Sequence, residues 1–144
     1  AADGSQGVMA RRVKEELRVQ RWVERLTTAD KVYQPDHGWW WILYWNETPI
    51  GFCGMVMTTR WSDCVYLCRS GLRWNHRGKG LQKKLIAVRL RKARELGCRW
   101  AITTTYHNPA SANSLIAHQF RLYNPTDPTG AKGTLYWRKK LKGD

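Results

Sequence analysis

A short glycine-containing segment is the part of the sequence best suited to binding an anion. It reads Arg77-Gly78-Lys79-Gly80 and lies between an apolar strand pattern and a regular helix pattern. Glycine permits positive φ angles and a close approach of backbone to ligand, and the free N–H groups at the start of a helix attract negative charge. Arg77 and Lys79 add positive charge at the same place. The segment predicts a pyrophosphate-binding loop, and a tight turn without a ligand is the alternative that it leaves open.

The elements on either side of this loop must hold it in place. Residues 63–72 have the pattern of a strand that ends at the loop, and residues 81–96 have the clearest helix pattern in the chain. The helix presents one apolar stripe and is capped by Gly97. The stripe consists of Leu81, Leu85, Val88, Ala93 and Leu96. Residues 100–106 then predict a strand, and residues 108–118 predict a short helix with Pro109 in its first turn, where proline is tolerated.

The rest of the chain predicts a helix followed by strands. The helix pattern covers about residues 11–26, and two strand patterns, Trp39–Trp45 and residues 50–58, flank a polar turn and predict a hairpin. Two further strand patterns close the chain, at residues 120–123 and 133–141. This order predicts a mixed α/β or α+β fold, with helices packed on one sheet.

Together these features resemble the GNAT (Gcn5-related N-acetyltransferase) superfamily over residues 39–141. Leu72 matches the residue that ends the strand, Arg77 and Gly80 match the loop signature, and Asn108 matches the start of the later helix. Ser111, Phe120 and the last strand agree with the same pattern. The resemblance implies a mostly antiparallel central sheet flanked by helices and acetyl-CoA as cosubstrate. The residues that it implies for cofactor binding are Leu72, Arg77, Gly78, Lys79, Gly80, Leu81, Gln82, Asn108 and Ser111.

The sequence departs from the family pattern at several positions. Gln82 stands where the family has glycine or alanine, so its side chain is expected either to crowd the pyrophosphate or to reach it. Gln119 replaces the glycine of a Gly-Phe pair, and Leu115 stands where many members carry a tyrosine that protonates the departing thiolate. The first strand of the family is also hard to find before Arg11. A tyrosine acid therefore does not carry over to this chain.

The resemblance implies direct attack of an amine on the thioester, without a covalent enzyme intermediate. It makes the backbone N–H of Leu72 the expected donor to the thioester carbonyl. Tyr66 stands where some members carry a glutamate base, so it is a catalytic candidate, with Asp63, His76 and a water chain as alternatives. Ser114 is a candidate for assisting the thiolate, and a role as a helix-surface residue is its alternative.

The acceptor site is expected between the first helix, the loop that follows it and the last hairpin. The residues that we expect to line it are Tyr33, Asp36, Trp39 and Tyr123. Aromatic rings with an acid would suit an amine, although sheet packing explains the tryptophans equally well. The net charge of +14 over 144 residues favours a polyanionic partner, so nucleic acid and aminoacyl-tRNA are candidate acceptors, beside a simply solvated surface.

These inferences lead to one main function and two alternatives. The main one is an acetyl-CoA-dependent N-acetyltransferase acting on an amine. The alternatives are a non-catalytic GNAT-fold module that binds CoA or nucleic acid, and a basic structural protein. The expected partners are acetyl-CoA and the amine acceptor, with a homodimer as an open alternative to a monomer.

The remaining expectations concern organisation and location. We expect residues 1–8 to be an added extension before a natural start at Met9, and residues 9–144 to form one domain. No apolar run is long enough to span a bilayer, and no secretory signal is recognisable, so we expect a cytoplasmic protein without a membrane partner. The four cysteines and four histidines lack zinc-ligand spacing, so reduced thiols and no metal site are expected.

Overall fold

The structure, a computed structural model, describes residues 7–13, 38–59 and 61–142. These residues form seven strands and two α-helices, together with a 3-10 turn at Trp74–His76. In chain order the elements are β1 (Val8–Val13), β2 (Trp39–Trp45), β3 (Thr48–Met57), β4 (Cys64–Leu72), α1 (Leu81–Glu95), β5 (Trp100–Thr105), α2 (Pro109–Ala117), β6 (Arg121–Leu122) and β7 (Leu135–Lys140). No helix in this part of the chain has the length and apolar character to cross a membrane.

All seven strands belong to one sheet in the order β1-β2-β3-β4-β5-β7-β6. Neighbouring strands are antiparallel except β4 and β5, which are parallel and are connected through α1. Parallel strands need such a crossover because the chain must return to the end of the sheet from which it started. Both helices pack on one face of the sheet. The predicted mixed, mostly antiparallel fold is confirmed.

The start of the chain differs from the prediction. Residues 11–13 were expected to begin a helix, but they belong to β1, where Arg11 and Arg12 pair with Ile42 and Trp41 of β2. Pairing along the free edge of β2 satisfies the backbone of this segment, and this tertiary contact outweighs its weak helix pattern. Val8, which we assigned to the extension, is the first residue of β1, and residues 14–26 of the predicted helix lie outside the described residues.

The hairpin of β2 and β3 has the predicted position. Its two turn residues, Asn46 and Glu47, have φ angles of 45° and 70°. Positive φ at both central positions matches the right-handed twist of the strands that the turn connects. Side chains of β2 then alternate, with Trp41 and Leu43 in the core beneath the helices and Trp40 buried on the opposite face.

Helix α1 supplies most of the helical contribution to the core. Burying each of its leucines contributes about 1.5–3 kcal/mol. The buried positions are Leu81, Leu85, Ile86, Arg89, Leu90 and Ala93. The buried face differs from the predicted stripe, because Leu96 is exposed, whereas Ile86, Arg89 and Leu90, which lay outside the stripe, are buried. Gly97 has a φ of 78°, as a left-handed helix cap requires.

The pairing between β4 and β5 is short, and this creates the opening at the centre of the sheet. The paired residues are Cys64 to Tyr66 on β4 and Trp100 to Ile102 on β5. Beyond them β4 continues to Leu72 along β3 alone, whereas β5 continues along β7. The two strands therefore diverge, and their separated ends lie beneath the first turns of the helices.

Candidate functional site

The loop before α1 has the backbone of an anion-binding turn. Gly78 and Gly80 have φ angles of 77° and 75°, and Gly80 is the N-cap residue of α1. A Cβ atom at either glycine would meet no atom within 4 Å, so the backbone conformation, rather than crowding, favours glycine there. The first turn of α1 contains no acidic residue. Gly80 provides no side-chain cap, so the N–H groups of Leu81 and Gln82 can meet a negatively charged group, whereas the Lys83 N–H donates to the Gly80 oxygen at 3.3 Å.

A cavity of about 340 Å³ lies over this loop. We call it the loop cavity. Its walls come from the end of β4, the loop, and the first turns of both helices, and its lining residues are Leu72, Arg77, Gly78, Gly80, Leu81, Gln82, Asn108, Ala110, Ser111 and Ser114. The fold thus brings together every residue that we predicted to bind the cofactor, with the exception of Lys79.

Lys79 points away from this cavity. Its Nζ atom lies 5.1 Å from the centre of the Trp45 ring, and the His76 ring lies 5.4 Å from the same tryptophan. Burial lowers the pKa of His76, and the nearby charges of Lys79 and Arg73 lower it further. His76 is also absent from the walls of the loop cavity. As an alternative base it is held near the end of β2 rather than at the separated strands.

Arg77 connects the loop to the strand before it. Its Nε atom donates a hydrogen bond to the backbone oxygen of Leu72, at 3.1 Å. This bond fixes the guanidinium at the mouth of the cavity, where its charge adds to that of the helix N-terminus. The side chain is exposed, so an anion can reach it from solvent.

The backbone of Leu72 faces the gap between β4 and β5. The neighbouring Arg73 N–H donates to the oxygen of Ile50 on β3, at 2.8 Å. Antiparallel pairs alternate between bonded and non-bonded positions, so the Leu72–Gly51 pair that precedes it is non-bonded. The N–H and carbonyl groups of Leu72 therefore point away from β3 and toward the side where β4 has no partner strand.

The start of α2 forms the opposite wall of the loop cavity. The Asn108 side chain accepts a hydrogen bond from the Ser111 N–H at 3.1 Å, which caps the helix. The Ser114 hydroxyl donates to the Ala110 oxygen at 3.1 Å, one turn back along the helix. At the other end Gln119 has a φ of 66°, a left-handed conformation that explains why glycine is the expected residue there.

A smaller cavity of about 70 Å³ fills the gap between the diverging strands, and we call it the junction cavity. It shares Gln82, Ser111 and Ser114 with the loop cavity, so the two spaces adjoin. Its other lining residues are Leu67, Cys68, Ser70, Ile86, Arg89, Thr103, Thr104, Thr105 and Leu115. Gln82 therefore stands at the boundary between the two cavities, and the apolar Leu115 side chain supplies no proton to either.

A third cavity of about 370 Å³, the tyrosine cavity, opens on the side of the sheet away from the helices. Its rings are Tyr66, Tyr123 and Tyr136, and it shares Thr103 and Thr104 with the junction cavity. The remaining lining residues are Val56, Met57, Thr58, Thr59, Ile102 and Thr129. Neighbouring cavities share lining residues, so the three lie side by side at the place where β4 and β5 separate. The Thr103 hydroxyl donates to the Leu67 oxygen there, at 2.7 Å.

Two of the predicted acceptor residues can be located. Tyr123 lines the tyrosine cavity, whereas Trp39 packs against the core on the helix side of the sheet. Tyr33 and Asp36 lie outside the described residues. Tyr66, the candidate base, lines the tyrosine cavity, and its hydroxyl lies 3.3 Å from that of Thr104. Asp63, the other candidate, is exposed at the start of β4.

Several residues that line these cavities were not predicted from the sequence. Tyr136 lies on β7 and its hydroxyl accepts a hydrogen bond from the Gly130 N–H at 2.9 Å. The run of threonines on β5 was visible as a strand pattern, but its position at the gap was not. Arg89 was hidden among the many cations of α1. In the described parts of the chain, no three His, Cys, Asp or Glu side chains group as metal ligands.

A cluster of rings around one arginine lies next to the tyrosine cavity. The Arg138 guanidinium carbon lies 5.2 to 5.6 Å from the centres of Tyr123, Trp100 and Trp61. Trp61 also packs edge-on against Trp100, at 5.2 Å between ring centres. We call this group the arginine–aromatic cluster. Lys140 lies 5.9 Å from Trp100, so positive charge continues along β7.

Comparison with known proteins identifies one family. The sequence model of the acetyltransferase (GNAT) family matches residues 9–115. This range contains the glycine loop, α1, most of α2 and five of the seven strands, apart from one residue of β1. A search of curated proteins found no match.

Solved structures with the same fold are numerous. YncA of Salmonella typhimurium, solved with acetyl-CoA, aligns with a TM-score of 0.76 at 14% identity and covers 96% of both chains. The IAA acetyltransferase of Bacillus cereus has a TM-score of 0.75 at 14% identity, over 93% of this chain and 99% of its own. A chain of the NatC complex bound to Gag peptide and CoA has a TM-score of 0.73 at 14% identity, over 94% and 99%. At these identities the similarity concerns the fold.

Proposed function

The chain belongs to the GNAT family of acetyltransferases, and on this basis we propose that it transfers the acetyl group of acetyl-CoA to an amine. The observation that carries the proposal is the set of three adjoining cavities at the place where β4 and β5 separate. One end has a helix N-terminus and Arg77, which suit phosphates, and the other end is lined by aromatic rings. YncA and the NatC complex, which share the fold, were solved with acetyl-CoA and CoA respectively, and this supports the same cosubstrate here.

We propose a role in acetyl-CoA binding for each part of the loop cavity. The N–H groups at the start of α1 and the Arg77 guanidinium bind the phosphates. Gly78 and Gly80 let the phosphates approach the backbone, and Leu81 and Gln82 form the adjoining wall. Asn108 and Ser111 border the path of the pantetheine arm toward the junction cavity. Lys79 is directed toward Trp45, so it contributes charge from a distance.

The chemistry is a direct displacement. The amine nitrogen forms a bond to the carbonyl carbon, the carbon–sulfur bond breaks, and its electron pair leaves on sulfur as the CoA thiolate. The amine proton passes to water or to a base. We propose that the Leu72 N–H, which faces the gap, polarises the carbonyl oxygen, as preorganised backbone donors do in acyl transfer.

One residue of the tyrosine cavity is a candidate for the base that takes the proton from the amine. Tyr66 lines it, and its hydroxyl is close to that of Thr104, so a proton can pass from the amine through these hydroxyls to solvent. Ser114 is less suited to assist the thiolate, because its hydroxyl already donates to the Ala110 oxygen. A water chain remains the alternative to Tyr66.

The proposal is tested by two measurements on the whole chain. Isothermal titration calorimetry should detect saturable binding of acetyl-CoA, and thiol release should follow when amines are added. The amine panel should contain small polyamines, peptide N-termini, DNA, RNA and aminoacyl-tRNA. Absence of acetyl-CoA binding would refute the proposal. Binding without transfer to any member of the panel would favour a non-catalytic GNAT-fold module.

A nucleic-acid-linked amine is the acceptor class that the described surface favours. The arginine–aromatic cluster adjoins the tyrosine cavity, and half-buried rings beside an arginine are a combination that can stack on bases and contact phosphates. The net charge of +14 exceeds what one cofactor with a few phosphates requires. A small amine would explain neither feature.

Salt dependence separates this acceptor from a small amine. Binding of single-stranded RNA should weaken steeply with salt, because each phosphate contact releases counterions. Changing Trp61→Ala should weaken RNA binding while leaving acetyl-CoA affinity unchanged. RNA binding that is flat between low and moderate salt would remove nucleic acid as the acceptor class and leave the acetyltransferase proposal intact.

A further inference from the structure

Arg89 is a charged side chain in a place where charge is costly. Only 4% of its surface is exposed, and it lies between α1 and the sheet. A guanidinium stays protonated in proteins, and burying it costs several kcal/mol unless a partner compensates. Its Nε donates to the Leu85 oxygen at 2.9 Å and its Nη1 to the Gly54 oxygen at 3.3 Å. Among the described residues, no carboxylate lies within ion-pair distance of it.

This buried charge borders the junction cavity. Arg89 follows Gln82 and Ile86 on the face of α1 that lines the gap between β4 and β5. The only other ionisable side chain among the described lining residues is Cys68. The junction cavity therefore has one fixed positive charge and no described negative charge. A negative charge that develops there would have Arg89 as its counter-ion.

The thiols near Arg89 already respond to its charge. Burial raises the pKa of Cys68, while backbone hydrogen bonds and the Arg89 charge act in the opposite direction. Burial likewise raises the pKa of Cys53 to about 12, with Arg89 again opposing it. At both sulfur atoms burial outweighs the guanidinium, so both pKa values stay raised, and the Arg89 charge makes the rise smaller.

The reacting end of the donor is placed where the loop cavity and the junction cavity adjoin, beside their shared residues Gln82, Ser111 and Ser114. At that border the carbonyl oxygen faces the Leu72 N–H, and the sulfur faces the junction cavity, which adjoins the tyrosine cavity on its other side. When the carbon–sulfur bond breaks there, the electron pair remains on sulfur. With Leu115 in place of a proton donor, the thiolate needs another source of stabilisation.

We propose that Arg89 is a catalytic residue that stabilises the CoA thiolate as it leaves. The inference rests on the proposed function. The bond from carbon to sulfur breaks, the thiolate remains paired with the guanidinium, and it takes a proton from water only after release. Because the charge is permanent, no acid has to be regenerated between turnovers.

The direct test is a titration of the thiol of CoA bound to the wild-type protein, followed by the ultraviolet absorbance of the thiolate. The absorbance of the four protein cysteines is subtracted with desulfo-CoA as the reference ligand. Bound CoA should show a thiolate-to-thiol ratio at least about tenfold above that of free CoA at the same pH, since a nearby opposite charge favours the ionised form. A ratio equal to or below that of free CoA would overturn the proposal.

Variants then connect the ionisation to the reaction. Arg89→Met, which keeps the apolar stem, should lose this excess of thiolate and lower kcat about 100-fold, as removal of one preorganised electrostatic group does, with the KM for acetyl-CoA little changed. Arg89→Lys should retain part of both effects. Arg91→Met removes an exposed charge from the same helix and should change neither, and Cys68→Ser should retain the excess of thiolate.

The outcomes distinguish this inference from the proposed function. If wild-type protein fails to bind CoA, the proposed function itself fails. If it binds CoA and transfers acetyl groups while Arg89→Met keeps wild-type kcat and thiol ionisation, only the role of Arg89 is refuted. If Arg89→Met does not fold, as thermal melting would reveal, the wild-type titration and Arg89→Lys decide the question.

Discussion

The loop cavity and the tyrosine cavity lie on opposite sides of the same gap, and they are assembled in opposite ways. The loop cavity is built mainly from two short stretches, residues 72–82 and 108–114, whose backbone conformation does much of the work. The tyrosine cavity takes one to three residues each from β3, β4, β5 and β7, together with residues of the connecting segments. Binding of a constant ligand can therefore be encoded locally, whereas the site for a variable acceptor depends on how distant strands align.

The substitution that should weaken ligand binding in the loop cavity most, without changing the tyrosine cavity, is Gly80→Glu. It introduces a negative charge at a helix N-terminus and a side chain at a φ of 75°. Acetyl-CoA affinity, measured by calorimetry, should fall at least about 100-fold, because a like charge beside bound phosphates costs several kcal/mol.

Gly97→Glu is the matched control for this change. Gly97 has a φ of 78° and equally open surroundings, but it lies at the other end of α1. The Gly97→Glu variant should lose about as much thermal stability as Gly80→Glu but keep the wild-type affinity for acetyl-CoA. An equal loss of affinity in both variants would mean that the glycines matter only for folding.

The two cations of the loop, Arg77 and Lys79, should contribute unequally to acetyl-CoA binding. Arg77→Met should weaken acetyl-CoA binding about tenfold, since a charge-assisted hydrogen bond contributes roughly 1.5–3 kcal/mol. Lys79→Met should weaken it by less than about threefold, because that side chain faces Trp45 and acts only through screened charge. Calorimetry at two salt concentrations measures both, and equal losses would show that side-chain direction does not matter there.

A change on the tyrosine side should leave donor binding intact. Tyr123→Ala removes a ring that lines the tyrosine cavity and packs 5.4 Å from Trp61. The kcat/KM for the acceptor should fall about fivefold, since one aromatic contact contributes about 1 kcal/mol beyond its buried area. Steady-state kinetics with acetyl-CoA saturating gives this value, and a parallel loss of acetyl-CoA affinity would contradict the separation of the two sides.

The smallest expected effect is a pH dependence of stability that comes from two histidines, His76 and His118, on the loop side of the sheet. Burial lowers the pKa of His118, whose Nε2 lies 3.1 Å from the Lys83 oxygen, and burial also lowers the pKa of His76. Below pH about 6.5 the unfolded chain binds more protons than the folded one. Stability from the neutral rings is thus present above that pH and is lost as the pH falls toward and through their lower folded pKa.

Urea unfolding between pH 7.5 and 5 measures this loss. His76→Gln and His118→Gln should each reduce the slope of unfolding free energy against pH. His107→Gln, at an exposed position outside these contacts, is the control for the loss of a histidine. If neither His76→Gln nor His118→Gln changed the slope, the pH dependence would have to come from other groups.

The sequence by itself determined the loop side and most of the element order. Gly78, Gly80, the stripe of α1 and the cap at Asn108 are local features, and local backbone preferences and periodicity are readable along a chain. The resemblance to the GNAT family rested on these same residues. The N-terminal strand was missed because β1 exists only through its pairing with β2.

Tertiary structure alone decided which side chains meet at the gap. The directions of Lys79 and Trp39, the burial of Arg89 and the meeting of Tyr66, Tyr123 and Tyr136 depend on strand register and on where the pairing of β4 with β5 stops. Contacts between residues far apart in sequence carry no local pattern, because each is fixed by the packing of the whole sheet. The gap through which acetyl transfer is proposed to occur is therefore a property of the assembled sheet.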